Sequence, residues 1–371
     1  MKDHATSGWR RLKDKALLAL PVILLCALFA YRTRLQKESG TEGRFYETAV
    51  FNTRCTLTIY AEKRKADEAF GHVTEALFRL HNALNRFDDN SELARLNNTP
   101  KNTPFKCSDE LWKALEASQM AFQETEGAFD VTVGPLLSFW KHDAKYPEED
   151  GNALQKKLDE VKARVGFNLL ALDSRNHTVT KMADGMQLDF GGIAKGLALD
   201  ISIQLLAQEG VTHYLLNYGG NTFQKLPQEH PYRDTCAIAN LSPETSAQPR
   251  LLIHGVDRHA VSTSSNLLRP LARDASRTVG HIIDPQTGMP VETEYDSVTV
   301  TNAFPRSCGI LSQNLGSRIQ VKKAQEMQPR KLRTRRDSRR RKGPQRPSRR
   351  CCARKGSMFQ WQGGVVNRCM A

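Results

Sequence analysis

The sequence predicts a fold that mixes strands with helices, either α+β or α/β, and three observations carry that expectation. Apolar residues recur at spacings of three and four in two long stretches. Short alternating or continuous apolar runs, bounded by turn residues, recur along the chain. One such run leads into an acid, two glycines and the start of a further helix, LDFGGIAKGLALD (Leu188–Asp200). The chain has 371 residues, 39% of them hydrophobic, enough for one large domain or two smaller ones.

Ala16–Tyr31 is uncharged and strongly apolar, and Lys2, Arg10, Arg11, Lys13 and Lys15 precede it. Residues 1–35 therefore read as a bacterial-type signal sequence or uncleaved signal anchor, with the body facing outward. A buried core helix is the alternative, since a membrane span needs about 20 apolar residues. Leu25 before Cys26 is not the small residue that lipidation of that cysteine would need. Arg32–Glu47 is polar and reads as a linker.

Ala49–Tyr60 alternates around Leu57 and Ile59 and predicts a strand. Ala66–Phe87 places Phe70, Val73, Leu77, Leu80 and Leu84 on one helical face. Arg86–Leu96 opens with turn residues, and Ser91 can cap a short helix. Ser108–Glu126 predicts a second amphipathic helix, capped by Ser108 and stopped by Gly127. Asp130 then lies inside the apolar run Gly127–Trp140, as a turn former or as a functional group.

Leu154–Val165 predicts a helix, and His177–Leu188 a hairpin turning at Asp184-Gly185. The helix after Gly192 is expected to run to about Glu209 and to stop at Gly210. Val211–Asn217 reads as a buried strand ending in Tyr218-Gly219-Gly220. Further strands are expected at Thr235–Ala239, Arg250–His254 and Ser297–Thr301. Between them lie AVSTSSN (Ala260–Asn266) and GHIIDPQTGMPV (Gly280–Val291).

Charge is unevenly placed. The whole chain carries 54 basic and 40 acidic residues, net +14, but Thr301–Ala371 alone holds 19 Lys+Arg against 2 Asp+Glu. The other 300 residues thus carry 35 basic and 38 acidic groups, net −3. Nucleic acid is not the expected partner of such a body on an exported chain. Four of the 8 cysteines lie in that basic tail, and no CxxC pair marks a zinc site.

Leu188–Asp200 has the chemistry of an anion site. Gly191 and Gly192 let a ligand approach the backbone. The helix start after them offers N–H groups and the positive end of a dipole, and Lys195 adds a charge. Asp189 can accept hydrogen bonds or face a metal. A plain tight turn and an acid that merely favours a helix N-terminus are the other readings.

Read together, RFDDNSELARLN, GAFDVTVGPLLSFW, LDFGGIAKGLALD, YLLNYGGN, AVSTSSN, HIIDPQTGMPV and DSVTVT resemble the ApbE family, the FAD:protein FMN transferases. They occur in the family's order over residues 46–301. The resemblance implies an α+β fold of mixed sheets packed with helices, T-fold-like, forming a single catalytic domain. It implies FAD as substrate, Mg²⁺ as metal, transfer of FMN to a Thr or Ser hydroxyl, and release of AMP. The implied partner is an exported flavin-acceptor protein of a redox complex. The implied location is the cytoplasmic (inner) membrane, reached through the N-terminal segment, with the body facing the periplasm or exterior.

By the same resemblance, Asp189 and Lys195 match the catalytic, FAD-contacting acid and helix lysine. Ala128, Phe129 and Asp130 match the flavin-contacting segment. Phe51, Phe87 and Ile283 match further ligand contacts, and Gly192 matches a backbone carbonyl ligand to the metal. Phe87, Phe129 and Ile283 could equally be core. The resemblance lapses after DSVTVT, where the family's side-chain metal ligands, an Asp and a Thr or Ser, would stand. Aligned without gaps, Gly309 and Gln313 take those places, and Ser312 takes the second if the register slips by one. Neither Gly nor Gln suits a hard cation. Residues 302–371 are therefore expected to be a basic tail, disordered or aberrant, with no counterpart to the family's last strands.

Overall fold

The computed structural model describes residues 42–143, 151–239, 249, 251–265, 272–273, 278–291, 297–305, 358–361 and 364–368. The apolar N-terminal segment with Cys26, and Gly309, Ser312 and Gln313, lie outside the described residues.

The first strand, β1 (Gly43–Val50), pairs antiparallel with β2 (Thr53–Tyr60). Two expectations change here. The single strand is a hairpin, and the end of the expected polar linker belongs to β1. Its turn, Phe51-Asn52, has φ of 54° and 53° without a glycine. Hairpin turns of this kind usually announce themselves as Asn-Gly or Asp-Gly.

Helix α1 (Lys63–Leu84) buries Ala66, Ala69, Val73, Leu77, Leu80 and Leu84, the face that the periodicity predicted. In α2 (Glu92–Asn98), Ser91 Oγ accepts from Ala94 N at 2.9 Å. After β3 (Phe105–Lys106), α3 (Asp109–Glu124) starts with Ser108 Oγ accepting from Leu111 N. Gly127 follows at φ +81°. A short α4 (Gly134–Ser138) runs into a π-type turn, Phe139–Asp143, and α5 is Gly151–Lys162.

The next hairpin is β4 (Leu170–Asp173) with β5 (Thr178–Lys181), one element earlier than expected. Asp184-Gly185 is a turn, but the Met186–Leu188 stretch after it does not pair with β5. It instead makes a parallel bridge, Val133 to Gln187. The partners of β5 explain this: it is already flanked by β3 and β4 in a three-stranded sheet.

Helix α6 (Ala194–Gln208) ends before Gly210, at φ +66°, as predicted. Then come β6 (Tyr214–Tyr218), β7 (Asn221–Lys225), β8 (Thr235–Ile238), β9 (Leu251–His254) and β10 (Ala260–Ser264). Short strands β11 (Ala272–Arg273) and β12 (Thr278–Val279) pair with each other, and β13 is Val298–Asn302. Finally β14 (Met358–Trp361) pairs with β15 (Gly364–Arg368).

The main sheet has eight strands in the order β1-β2-β6-β7-β10-β13-β15-β14. Its core joins Leu57 and Ile59 of β2, Leu216 and Tyr218 of β6, and the inward faces of α1, α3 and α6. The expectation that nothing after Thr301 joins the sheet is corrected: β15 pairs with β13 from Val298↔Arg368 to Asn302↔Gly364. Its β-prone run, with Val365 and Val366, is short enough to be hidden by the basic stretch before it. An edge at β13 would otherwise leave a row of backbone groups unpaired.

Candidate active site

A cleft of about 640 Å³ opens where the β1–β2 turn, the end of α1, α4, the start of α6 and β10 meet. Of the site residues that the sequence singled out, all those described line it: Phe51, Phe87, Ala128, Phe129, Asp130, Asp189, Gly192, Lys195 and Ile283. Volumes of this order are usual for cofactor pockets.

Asp189 is held on three sides. Its backbone N donates to Val131 O at 2.7 Å. Its Oδ1 accepts from Gly191 N at 2.7 Å, which shapes the glycine turn. Its Oδ2 accepts from Arg86 Nη1 at 2.9 Å, while Arg86 Nη2 donates to Ser138 Oγ at 3.2 Å. Arg86 also lies over the Phe87 ring, 5.5 Å from its centre. Lys195 stands half-buried in the first turn of α6, a helix start without a side-chain cap.

Asp130 lines the cleft and also carries the bonds of a turn former. Its Oδ1 accepts from Thr132 N (2.8 Å) and Thr132 Oγ1 (2.6 Å), and its Oδ2 from Phe167 N (2.9 Å). Burial raises the Asp130 pKa, and those three bonds oppose the rise.

The aromatics divide. Phe129 and Ile283 are core residues, 6% and 8% exposed, with an edge on the cleft. Phe87 is 72% exposed, so packing does not explain it; it stands at the rim as an open aromatic face. Phe51 is half-buried; its N donates to His81 Nδ1 at 3.2 Å, and the two rings meet edge-on. A bulky residue at positive φ carries backbone strain.

Sequence reasoning missed several lining groups. Arg86 sits inside a quoted motif, but only the fold brings it to Asp189. Ser262, Thr263, Ser264 and Ser265 line the opposite wall. Ser262 Oγ donates to Asn221 Oδ1 at 2.8 Å, and the Thr263 and Thr299 hydroxyls are 2.9 Å apart. The repeated hydroxyls of AVSTSSN were the available signal. His142 and His281 also line the cleft. Gly219, at φ +59°, lets the β6–β7 turn lie against β2: a Cβ there would stand 2.4 Å from Thr53 Oγ1.

The positions where the resemblance puts the side-chain metal ligands lie outside the described residues. Among the described residues no three His, Cys, Asp or Glu side chains gather as ligands. Of the two carboxylates in the cleft, Asp189 is paired with Arg86, and Asp130 is bound to its own chain. Gly192 lines the cleft, but among the described residues its carbonyl has no such set to join.

The chain matches the ApbE family over residues 51–327, and it belongs to that family. The match runs past Thr301 and ends before β14 and β15. Among particular relatives, the FAD:protein FMN transferase of Escherichia coli K12 is 29% identical over 223 residues, 58% of this chain and 61% of that protein. The chain thus spans about three fifths of the E. coli protein's length. The FAD:protein FMN transferase of Treponema pallidum is 30% identical over 298 residues, 75% of this chain and 78% of that one. The fold is that of the solved ApbE proteins. The Thermotoga maritima structure aligns with a TM-score of 0.65 at 22% identity, covering 76% of this chain and 90% of that one. The flavin transferase ApbE from Vibrio cholerae gives 0.61 at 23% identity, covering 74% of this chain and 86% of that one.

Proposed function

We propose that this chain binds FAD in the cleft and transfers the FMN half to a Thr or Ser hydroxyl of an acceptor protein, releasing AMP. The observation that carries the reading is convergence. The segment holding the acid, the glycine turn and Lys195 lines one cleft with Phe51, the exposed Phe87, Ala128 and Ile283, which lie far from it in sequence. Lys195 and the α6 start suit a pyrophosphate, and Phe87 offers a stacking face to a flat ring. The Arg86–Asp189 pair keeps the carboxylate from repelling that anion.

In the transfer, the acceptor oxygen attacks the FMN-side phosphorus. The bond from that phosphorus to the bridging oxygen breaks, and AMP leaves with that oxygen. The hydroxyl proton passes to a base, for which the cleft offers the imidazoles of His142 and His281. Positioning and charge neutralisation account for most of such catalysis. Mg²⁺ dependence, an exported acceptor from a redox complex and anchoring at the cytoplasmic membrane belong to the same reading. Their support is the family and the apolar Ala16–Tyr31 run. Among the described residues no helix is long and apolar enough to cross a membrane.

A second reading, FAD binding without transfer, is favoured by one observation: Gly309 and Gln313 stand in sequence where the family's metal-ligating Asp and Thr or Ser would, and neither suits a hard cation. Incubation of the full chain with FAD, Mg²⁺ and a Thr-bearing acceptor separates the two. Transfer gives an FMN-sized mass addition on the acceptor with AMP in solution. Binding alone gives neither.

A further inference from the structure

The stretch that carries Asp189 is fixed from outside the cleft by a side chain that does not line it. Asn97, near the end of α2, makes two hydrogen bonds to the backbone of Leu188. Its Oδ1 accepts from Leu188 N at 2.7 Å, and its Nδ2 donates to Leu188 O at 3.0 Å. An amide side chain thus takes the place of a neighbouring strand. Behind it lies Lys181, only 3% exposed, whose Nζ donates to Asn97 O at 2.6 Å and to Met186 O at 3.2 Å. On the other side, Val131 O accepts from Asp189 N, and Val133 bridges Gln187. Leu188 is fully buried, so leaving its N–H or C=O without a partner is costly.

We infer that Asn97, held in place by the buried Lys181 ammonium, is the positioning residue for Asp189, setting the angle at which the acid and its glycine turn enter the cleft. It touches no ligand and acts through Leu188. The inference rests on the reading of the cleft as an FAD site.

The test is a double-mutant cycle on the full chain, with FAD affinity read by flavin fluorescence. Asn97→Ala is expected to weaken FAD binding about tenfold, as two lost hydrogen bonds imply. In an Asp189→Ala background the same change should have almost no further effect. Lys181→Met, cycled against Asp189→Ala, asks the same question if Asn97→Ala fails to fold. Additive effects would overturn the inference. A ligand-free readout accompanies it: in Asn97→Ala, amide exchange should quicken across residues 186–192 while α1 and β2 keep their protection. Unchanged exchange there would also overturn it. A wild-type chain that binds no FAD would instead overturn the reading of the cleft, while the exchange experiment still decides the role of Asn97.

Discussion

Arg86 Nη1 donates to Asp189 Oδ2 across 2.9 Å, joining residues 103 positions apart, with side chains only 15% and 18% exposed. The pair neutralises one of the two carboxylates that line the cleft. Removing one partner of such a pair leaves an uncompensated charge away from water. Arg86→Ala should therefore weaken FAD binding about tenfold, roughly 1.4 kcal/mol. Asp189→Ala should weaken FAD retention and abolish transfer. Arg86→Ala combined with Asp189→Asn should bind FAD better than Arg86→Ala alone. Equilibrium titration of the three variants checks the order.

Gly134 lets α4 lie directly on the strand-like run before Asp189. A Cβ at that position would stand 2.6 Å from the backbone O of Gln187. Backbone cannot swing aside as a side chain can, so Gly134→Ala must part the two segments. The expected cost is about 1–3 kcal/mol of stability, the usual range for overpacking. Weaker FAD binding should accompany it. Denaturant melts and a flavin titration on one preparation measure both.

Ser91 caps α2, the helix that carries Asn97. Ser91→Ala should cost about 1 kcal/mol, measurable as a shift of the denaturation midpoint with an unchanged slope.

Burial pushes the Cys55 thiol up to about 11. The side chain is fully enclosed, 0% exposed. With a folded pKa above the unfolded one, the group's contribution is fully present below the ordinary thiol range. It is lost as pH rises from about 9 toward 11. Two pH units correspond to roughly 2–3 kcal/mol. Wild-type stability should therefore fall faster over that window than that of Cys55→Ala. Parallel alkaline slopes for the two proteins would contradict the enclosed thiol.

Long helices were legible in the sequence because one property fixed them: apolar spacing for α1 and α3, a terminal glycine for α6. Asp189, Gly192 and Lys195 were legible because a single short segment holds them. Arg86 was not, since its role depends on a contact across 103 residues. The Phe51-Asn52 turn escaped because it takes positive φ without glycine. Strand β10 was not predicted: its run of hydroxyls lacks the apolar pattern of a strand, and it lines the cleft at Ser262 and Thr263. Lys181 was invisible because a buried lysine held by carbonyl oxygens leaves no pattern in sequence. Asp130 showed the reverse case: its place in an apolar run was plain, but only its bonds to Thr132 and Phe167 assign it to the turn.

The most direct measurement is mass spectrometry of a Thr-bearing acceptor domain after incubation with the full chain, FAD and Mg²⁺, with AMP assayed in the same tube. The account predicts an FMN-sized addition on the acceptor with an equal amount of AMP, both lost in Asp189→Ala. An unmodified acceptor and no AMP, from a chain that binds FAD, would contradict transfer and leave a flavin-binding protein in its place.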